Sequence, residues 1–203
     1  MENKEKKIML KEAAILFVIT LLAGLVLGFV YELTKAPIRL QEEKAIQEAC
    51  RKVFAQATDF EATSYSTSAV LTAELDEIGV EIGTVYDAVD ASGSHLGYVV
   101  ETTTSEGYAG EITLYMGVTD DGTLNGISIL AIGETPGLGM RAEEVLVPQF
   151  ENVPVTIFTY TKSGSMSDSE IDAISGATVT TKAVVNAING GIKAVTEELK
   201  GGQ

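Results

Sequence analysis

The 203-residue sequence holds one cysteine, Cys50, and one histidine, His95. A single thiol excludes an internal disulfide, a cysteine-ligated iron–sulfur cluster within the chain and a Cys-x-x-Cys-His haem attachment, so a redox role requires another cofactor. A single imidazole leaves a Ser-His-Asp triad or a histidine-rich metal site only one place to form, and Ser92-Gly93-Ser94-His95 reads as a hairpin tip. Basic residues are also scarce, 14 against 29 acidic ones for a net charge of −15, which argues against non-specific nucleic-acid binding through phosphate neutralisation. The deficit is uneven. The first 40 residues hold six basic and four acidic residues and the remainder eight and 25, so a positive head precedes an acidic body. With 45% hydrophobic residues, the length suits one globular domain plus an anchor and is too short for several enzymatic domains.

From Ala13 to Tyr31 the chain runs for 19 residues without a charge. As a helix this stretch spans roughly 28 Å, close to the ~30 Å hydrocarbon thickness of a bilayer. A cleaved signal peptide is the alternative, but its apolar region is only ~7–15 residues and ends at a small-x-small site, whereas this run passes directly into Tyr31-Glu32-Leu33-Thr34-Lys35. A retained transmembrane helix is therefore expected. Lys4, Lys6, Lys7 and Lys11 precede it, so the positive-inside rule places the N-terminus in the cytoplasm and the acidic body outside. The expected organisation is a cytoplasmic N-terminus over 1–12, a transmembrane helix over 13–31, a stalk helix over 32–56 and an extracytoplasmic domain over 57–203.

Within the stalk, Ile38, Ala45, Ile46, Ala49 and Val53 follow helical spacing after Pro37, and Cys50 is read as packing. Strand-like runs at Val80–Val89, Leu96–Thr103, Glu111–Val118 and Leu124–Leu130 are separated by Ser92-Gly93 and Asp120-Asp121-Gly122, the pattern of an antiparallel meander. A short helix at Ala142–Phe150, a strand at Val155–Tyr160 and a polar loop over 162–169 follow. A last helix runs from near Thr180 to Leu199, with Val184, Val185, Ile188, Ile192, Val195 and Leu199 in one stripe. The fold class is α+β, a mostly antiparallel sheet flanked by helices.

Two segments rich in small residues adjoin these core elements. In Gly133-Glu134-Thr135-Pro136-Gly137-Leu138-Gly139, Pro136-Gly137 makes a tight turn and the glycines leave N–H groups open to a planar or anionic ligand, although a plain strand-to-helix connector would read the same way. In Asp172–Lys182, small residues precede a helix whose free N–H groups and dipole suit a phosphate. Lys182, four residues beyond Thr178, would share its face there. An ordinary helix start capped by Ser175 or Thr180 is the other reading, and the residues alone do not separate the two.

Asp172-x-x-Ser175-Gly176-Ala177-Thr178 resembles the flavinylation motif of the FMN-binding domain family, in which the closing threonine carries FMN through a phosphoester bond. Glu134–Gly139 resembles that family's second hallmark, and Gly107-Tyr108-Ala109-Gly110 before a strand resembles a third. Leu33-Thr34 and Pro37-Ile38 at the membrane exit are similar too, so the likeness covers essentially the whole chain, with the motifs in the family's order. One departure is Ile132-Gly133, where members often carry a histidine or other polar residue.

The resemblance implies covalent attachment of FMN at Thr178. It also implies cofactor contacts from Tyr108, Glu134, Thr135, Gly137, Leu138, Gly139, Ser175, Gly176, Ala177 and Lys182, with a flavin transferase needed for maturation. The short length and single anchor are similar to the G subunit of the Rnf ion-translocating ferredoxin:NAD oxidoreductase complexes. That implies an electron carrier of the cell membrane working among other subunits of a redox complex, without catalysis of its own. Two other readings stay open: a component like the C subunit of the sodium-translocating NADH:quinone oxidoreductase, which is usually longer, and a non-redox FMN-binding sensor module, which generally has more transmembrane segments.

Overall fold

The computed structural model describes residues 2–201, with side chains from Lys6 onward. The Lys4 side chain, counted above in the basic flank, lies outside that description, as do Met1, Gly202 and Gln203 at the ends of the expected segments. By its internal contacts the chain divides between Lys44 and Ala45 into two units.

The first unit is helical over its described residues. It forms most of helix α1 (Glu2–Val53), which Pro37 does not interrupt. Proline has no N–H to give to the Leu33 carbonyl, and the helix continues past that single lost bond. The expected transmembrane and stalk helices are thus one element. Its apolar stretch is long and apolar enough to cross a membrane and is wholly exposed within the protein. The Thr20 and Thr34 hydroxyls donate back to carbonyls three and four residues earlier, so neither is left unsatisfied on that apolar surface.

The second unit is built on a six-stranded sheet: β1 (Asp59–Ala62), β2 (Val80–Val89), β3 (His95–Thr104), β4 (Ile112–Thr119), β5 (Thr123–Ile132) and β6 (Val153–Pro154). Strand order follows chain order and every pairing is antiparallel, which is the expected meander. Residues alternate between the two faces, as the pleat requires. Ile112, Leu114, Met116 and Val118 of β4 join the larger core, whereas Tyr115 joins a smaller one with Ala49, Cys50 and Val53 of the C-terminal turns of α1 and with Phe54 just beyond it. Burial pushes the Cys50 thiol up to about 12, so it stays protonated and inert, in line with a packing role.

The larger core is closed by α2 (Ala69–Asp76) and α4 (Thr178–Lys193), the latter packed on β2, β3 and β4. The apolar stripe of α4 is as expected: Val184, Val185, Ile188, Ile192 and Val195 are buried, each contributing about 1.5–3 kcal/mol. Gly190 and Gly191 let the helix lie close against the sheet, since a Cβ at Gly191 would run into the Met116 sulfur. The helix starts at Thr178, two residues earlier than the sequence suggests, and its last turn, Ala194–Leu199, is π-helical.

Two further expectations need correction. The segment expected as a helix over Ala142–Phe150 is one α-turn, α3 (Ala142–Val145), between two 3-10 turns, Gly139–Arg141 and Val147–Phe150. Pro148 supplies no N–H there, which ends regular α-helical bonding. The segment expected as a strand over Val155–Tyr160 is strand only at its end. Thr159–Thr161 forms β7, pairing in parallel with β8 (Glu170–Asp172). Before it, the Phe158 N–H and carbonyl bond the Asn189 carboxamide at 2.8 Å each, so a side chain of α4 takes the place of a strand partner. The sequence reading misses β1, β6, β8 and α2, the last capped by Ser68, whose hydroxyl accepts from the Leu71 N–H at 3.3 Å.

Candidate functional site

The segment after β5 turns sharply. The Thr135 carbonyl accepts from the N–H groups of Leu138 at 3.1 Å and Met140 at 3.3 Å. Pro136 takes the second turn position and Gly137 the third with φ +76°, a value that favours glycine. Glu134, at the head of the turn, is 5% exposed. Its Oε1 accepts from the backbone N–H of Tyr108 at 2.7 Å and of Ala109 at 3.4 Å, so the first motif along the chain is fastened directly to the second. Its Oε2 is buried and has no hydrogen-bond partner among the described residues.

The third motif is fixed by hydrogen bonds just before its exposed part. The Ala173 N–H donates to the Thr161 carbonyl at 2.8 Å and the Ile174 N–H to the Thr181 hydroxyl at 3.1 Å. Ser175 and Gly176 then stand out into solvent, with Gly176 at φ +81°. A Cβ on Gly176 would sit 3.1 Å from Leu138 Cδ2, which shows how closely the turn and the third motif approach. Ala177 is the N-cap residue of α4, and no side chain caps the helix. The capped start by Ser175 or Thr180 is therefore corrected: Thr180 lies inside the first turn at 1% exposure and Ser175 outside the helix.

These pieces enclose one open cleft of about 460 Å³ lined by Tyr108, Glu134, Thr135, Leu138, Gly139, Gly176, Ala177, Thr178, Val179 and Thr180. That volume is in the range of about 300–1,000 Å³ that small-molecule sites occupy. Tyr108, Leu138 and Val179 give it an apolar rim, being 72%, 42% and 49% exposed. Of the residues singled out from sequence, Gly137, Ser175 and Lys182 do not line it, and the Lys182 side chain is exposed. Val179 and Thr180 line it without having been singled out as contacts. Only their places next to Thr178 on the first helical turn could have suggested them. His95 is also apart from the cleft. Its ring nitrogens lie 3.6 Å from Asp87 and 3.3 Å from Asp120, and the ring sits edge-on to Tyr98. Among the described residues no cluster of histidine, cysteine and carboxylate side chains is arranged to hold a metal ion.

The three threonines at the head of α4 differ in surroundings. Thr178, the first helical residue, is half-buried on the cleft. Thr181 is fully buried, its hydroxyl donating to the Ala177 carbonyl at 3.0 Å while accepting the Ile174 N–H. Thr181→Ala strands that buried N–H and is expected to cost about 1–3 kcal/mol. Thr181→Ser keeps both bonds and should recover most of the loss in a thermal or denaturant melt. Equal midpoints for the alanine variant and the parent would contradict this role.

Residues 107–193 match the family model described as the FMN-binding domain, and residues 1–53 match the RnfG N-terminal region. The first match opens at the Gly107-Tyr108 motif, closes at the end of α4 and so contains every wall of the cleft. The fold and cleft therefore define an FMN-binding-domain protein carried on an N-terminal helix. Its relatives narrow the class. The chain is 33% identical over 196 residues to the G subunit of the ion-translocating oxidoreductase complex of Methanosarcina acetivorans, covering 96% of this chain and 98% of that protein. It is 35% identical over 200 residues to the G subunit of the Na(+)-translocating ferredoxin:NAD(+) oxidoreductase complex of Acetobacterium woodii, covering 93% and 95%. The chain belongs to the G-subunit family of ion-translocating oxidoreductase complexes. The crystal structure of Shewanella oneidensis NqrC shares the fold, with a TM-score of 0.50 and 20% identity over 73% of this chain and 74% of that one.

Proposed function

We propose that this chain is a membrane-anchored electron-transfer subunit that carries FMN esterified through its phosphate to Thr178, and that it relays electrons within an ion-translocating ferredoxin:NAD oxidoreductase complex. The observation that carries the reading is the convergence of three separated motifs on one cleft, with a half-buried Thr178 hydroxyl beside the N–H groups of the first turn of α4, which no side chain caps. An esterified phosphate at that place gains about 0.3–1 kcal/mol from the helix terminus at an exposed position. Flavin supplies the ability to pass electrons singly or in pairs, which connects unlike carriers. The protein's own part is to hold and shield. Tyr108, Leu138 and Val179 offer apolar surface to a planar ring, and the turn after Glu134 closes the opposite wall. The buried Glu134 Oε2 is the unpaired polar atom of that wall.

The apolar stretch of α1 contains no charged residue between Ala13 and Tyr31. It therefore provides no ion pathway, and ion movement falls to multi-helix neighbours in the complex. We assign residues 13–31 to the membrane, 32–56 to the stalk and 57–203 to the flavin domain, with the N-terminus cytoplasmic and the flavin domain outside. A flavin transferase attaches the cofactor.

Three measurements test this reading. Native protein should show flavin fluorescence that survives denaturing electrophoresis, and it should purify with redox subunits; a colourless protein purifying alone would refute it. Protease acting from outside, with any outer barrier opened, should remove the chain beyond about Lys35. Protection of that region, with the N-terminal lysines accessible to an external label, would overturn the orientation.

A further inference from the structure

One polar side chain outside the three motifs ties the segment that follows one wall of the cleft to the first residue of the motif that forms another. Gln149 is half-buried in the second 3-10 turn of the segment that follows the Pro136-Gly137 turn. Its Nε2 donates to the Val145 carbonyl at 2.7 Å and to the Asp172 carbonyl at 3.1 Å, and its Oε1 accepts the Asp172 N–H at 2.7 Å. A carboxamide that gives one bond to a residue's backbone and takes one from it reproduces the exchange made by a pair of strands. The residue so held is the first of Asp172-x-x-Ser175-Gly176-Ala177-Thr178. Three tethers follow in order along this stretch: Gln149 at Asp172, Thr161 at Ala173 and Thr181 at Ile174. Only the first reaches across to the segment that begins at Gly139, whose first residue lines the cleft.

We propose that Gln149 is a positioning residue of the flavin site, setting the spacing between the turn that follows Glu134 and the loop that presents Thr178. This rests on the flavin reading above. A purely structural clamp would act through stability alone, and the protein contains a matched one for comparison. Asn189 makes the same two-bond exchange with the backbone of Phe158, a buried residue that does not line the cleft.

The test uses the full-length chain with Gln149→Met, which keeps length and volume while removing all three bonds. Gln149→Glu, which keeps the acceptor for the Asp172 N–H but sets a carboxylate oxygen against the Val145 and Asp172 carbonyls that Nε2 served, is the second variant, and Asn189→Leu is the control. In a flavin-free Thr178→Ala background, hydrogen exchange at the Asp172 amide should quicken by about tenfold or more in Gln149→Met and stay at the parent's rate in Asn189→Leu. With Thr178 present, flavin attachment after induction of the transferase should slow by about tenfold or more in Gln149→Met and in Gln149→Glu and not at all in Asn189→Leu. If Gln149 and Asn189 variants of equal melting temperature attach flavin equally fast and give the same visible spectrum, the positioning role is wrong and the flavin reading stands. A parent chain that takes no flavin in the presence of the transferase overturns the flavin reading, and the proposal with it.

Discussion

Thr178→Ala is expected to abolish covalent flavin completely while leaving the domain folded. The lost hydroxyl makes no hydrogen bond among the described residues and is half-buried at the first position of α4, so its removal should change stability by no more than about 0.5 kcal/mol. The neighbouring hydroxyls are poor substitutes. Thr180 is 1% exposed and Thr181 0%, the latter engaged on both its donor and acceptor sides. A transferase that must bring a flavin phosphate to an oxygen therefore meets one open threonine at the head of the helix, next to the exposed Ser175 and Gly176. Thermal melts of the variant should overlay the parent, and peptide mapping by mass spectrometry should find the added flavin mass only on the parent's Thr178 peptide. Flavin on another residue, or a variant that stays covalently yellow, would refute the assignment.

The second large effect separates two glycines of one turn. A side chain at Gly137 would meet nothing within 4 Å, and the residue is glycine because of its φ of +76°. Gly137→Ala should thus cost about 1–2 kcal/mol from the left-handed backbone and keep the cleft. At Gly139 the constraint is steric: a Cβ would lie 2.7 Å from each of Glu134 Cβ, Glu134 Oε2 and Thr180 Oγ1. Two of those atoms are fixed, one by the backbone beside it and one by the first turn of α4. Gly139→Ala should cost about 1–3 kcal/mol from overpacking. It should also push Glu134 away from the Tyr108 N–H and so disconnect the first motif from the second. Flavin attachment should fall sharply in Gly139→Ala and only in proportion to stability in Gly137→Ala. Melting curves and in-gel flavin fluorescence on the two variants decide the matter, and parent-like behaviour of Gly139→Ala on both would sink the steric account.

The meander was readable because each strand alternates over a turn made by local chemistry. Ser92-Gly93 and Asp120-Asp121-Gly122 close two of its hairpins, with Gly93 and Gly122 both at positive φ. The stripe on α4 was readable for the same reason, a period carried by neighbours in the chain. Segments whose partners are distant were not. Phe158 bonds a carboxamide 31 residues away, β8 pairs in parallel with a strand across a polar loop, and Gln149 holds a backbone 23 residues on. Nothing in the local pattern of these segments encodes a partner of that kind. The cleft stands between these cases. Residue chemistry alone left a ligand turn and a plain connector equally open, and the resemblance supplied the grouping that the geometry displays. Lys182 illustrates the limit of spacing, because one helical turn from Thr178 leads along the helix and out to solvent rather than into the cleft.

Helix α4 is the last long element of the chain, and it both roofs the larger core and forms one wall of the cleft. A ribosome that has released everything up to β6 has therefore made the sheet, two motifs and no binding site. The missing wall arrives only when the final stretch docks and covers the apolar face of β2, β3 and β4. Occupancy of the cleft thus reports that α4 has been made and has docked. Colour, in such a protein, would serve as a certificate of assembly: chains truncated or misfolded near the C-terminus would stay pale however much flavin the cell supplies.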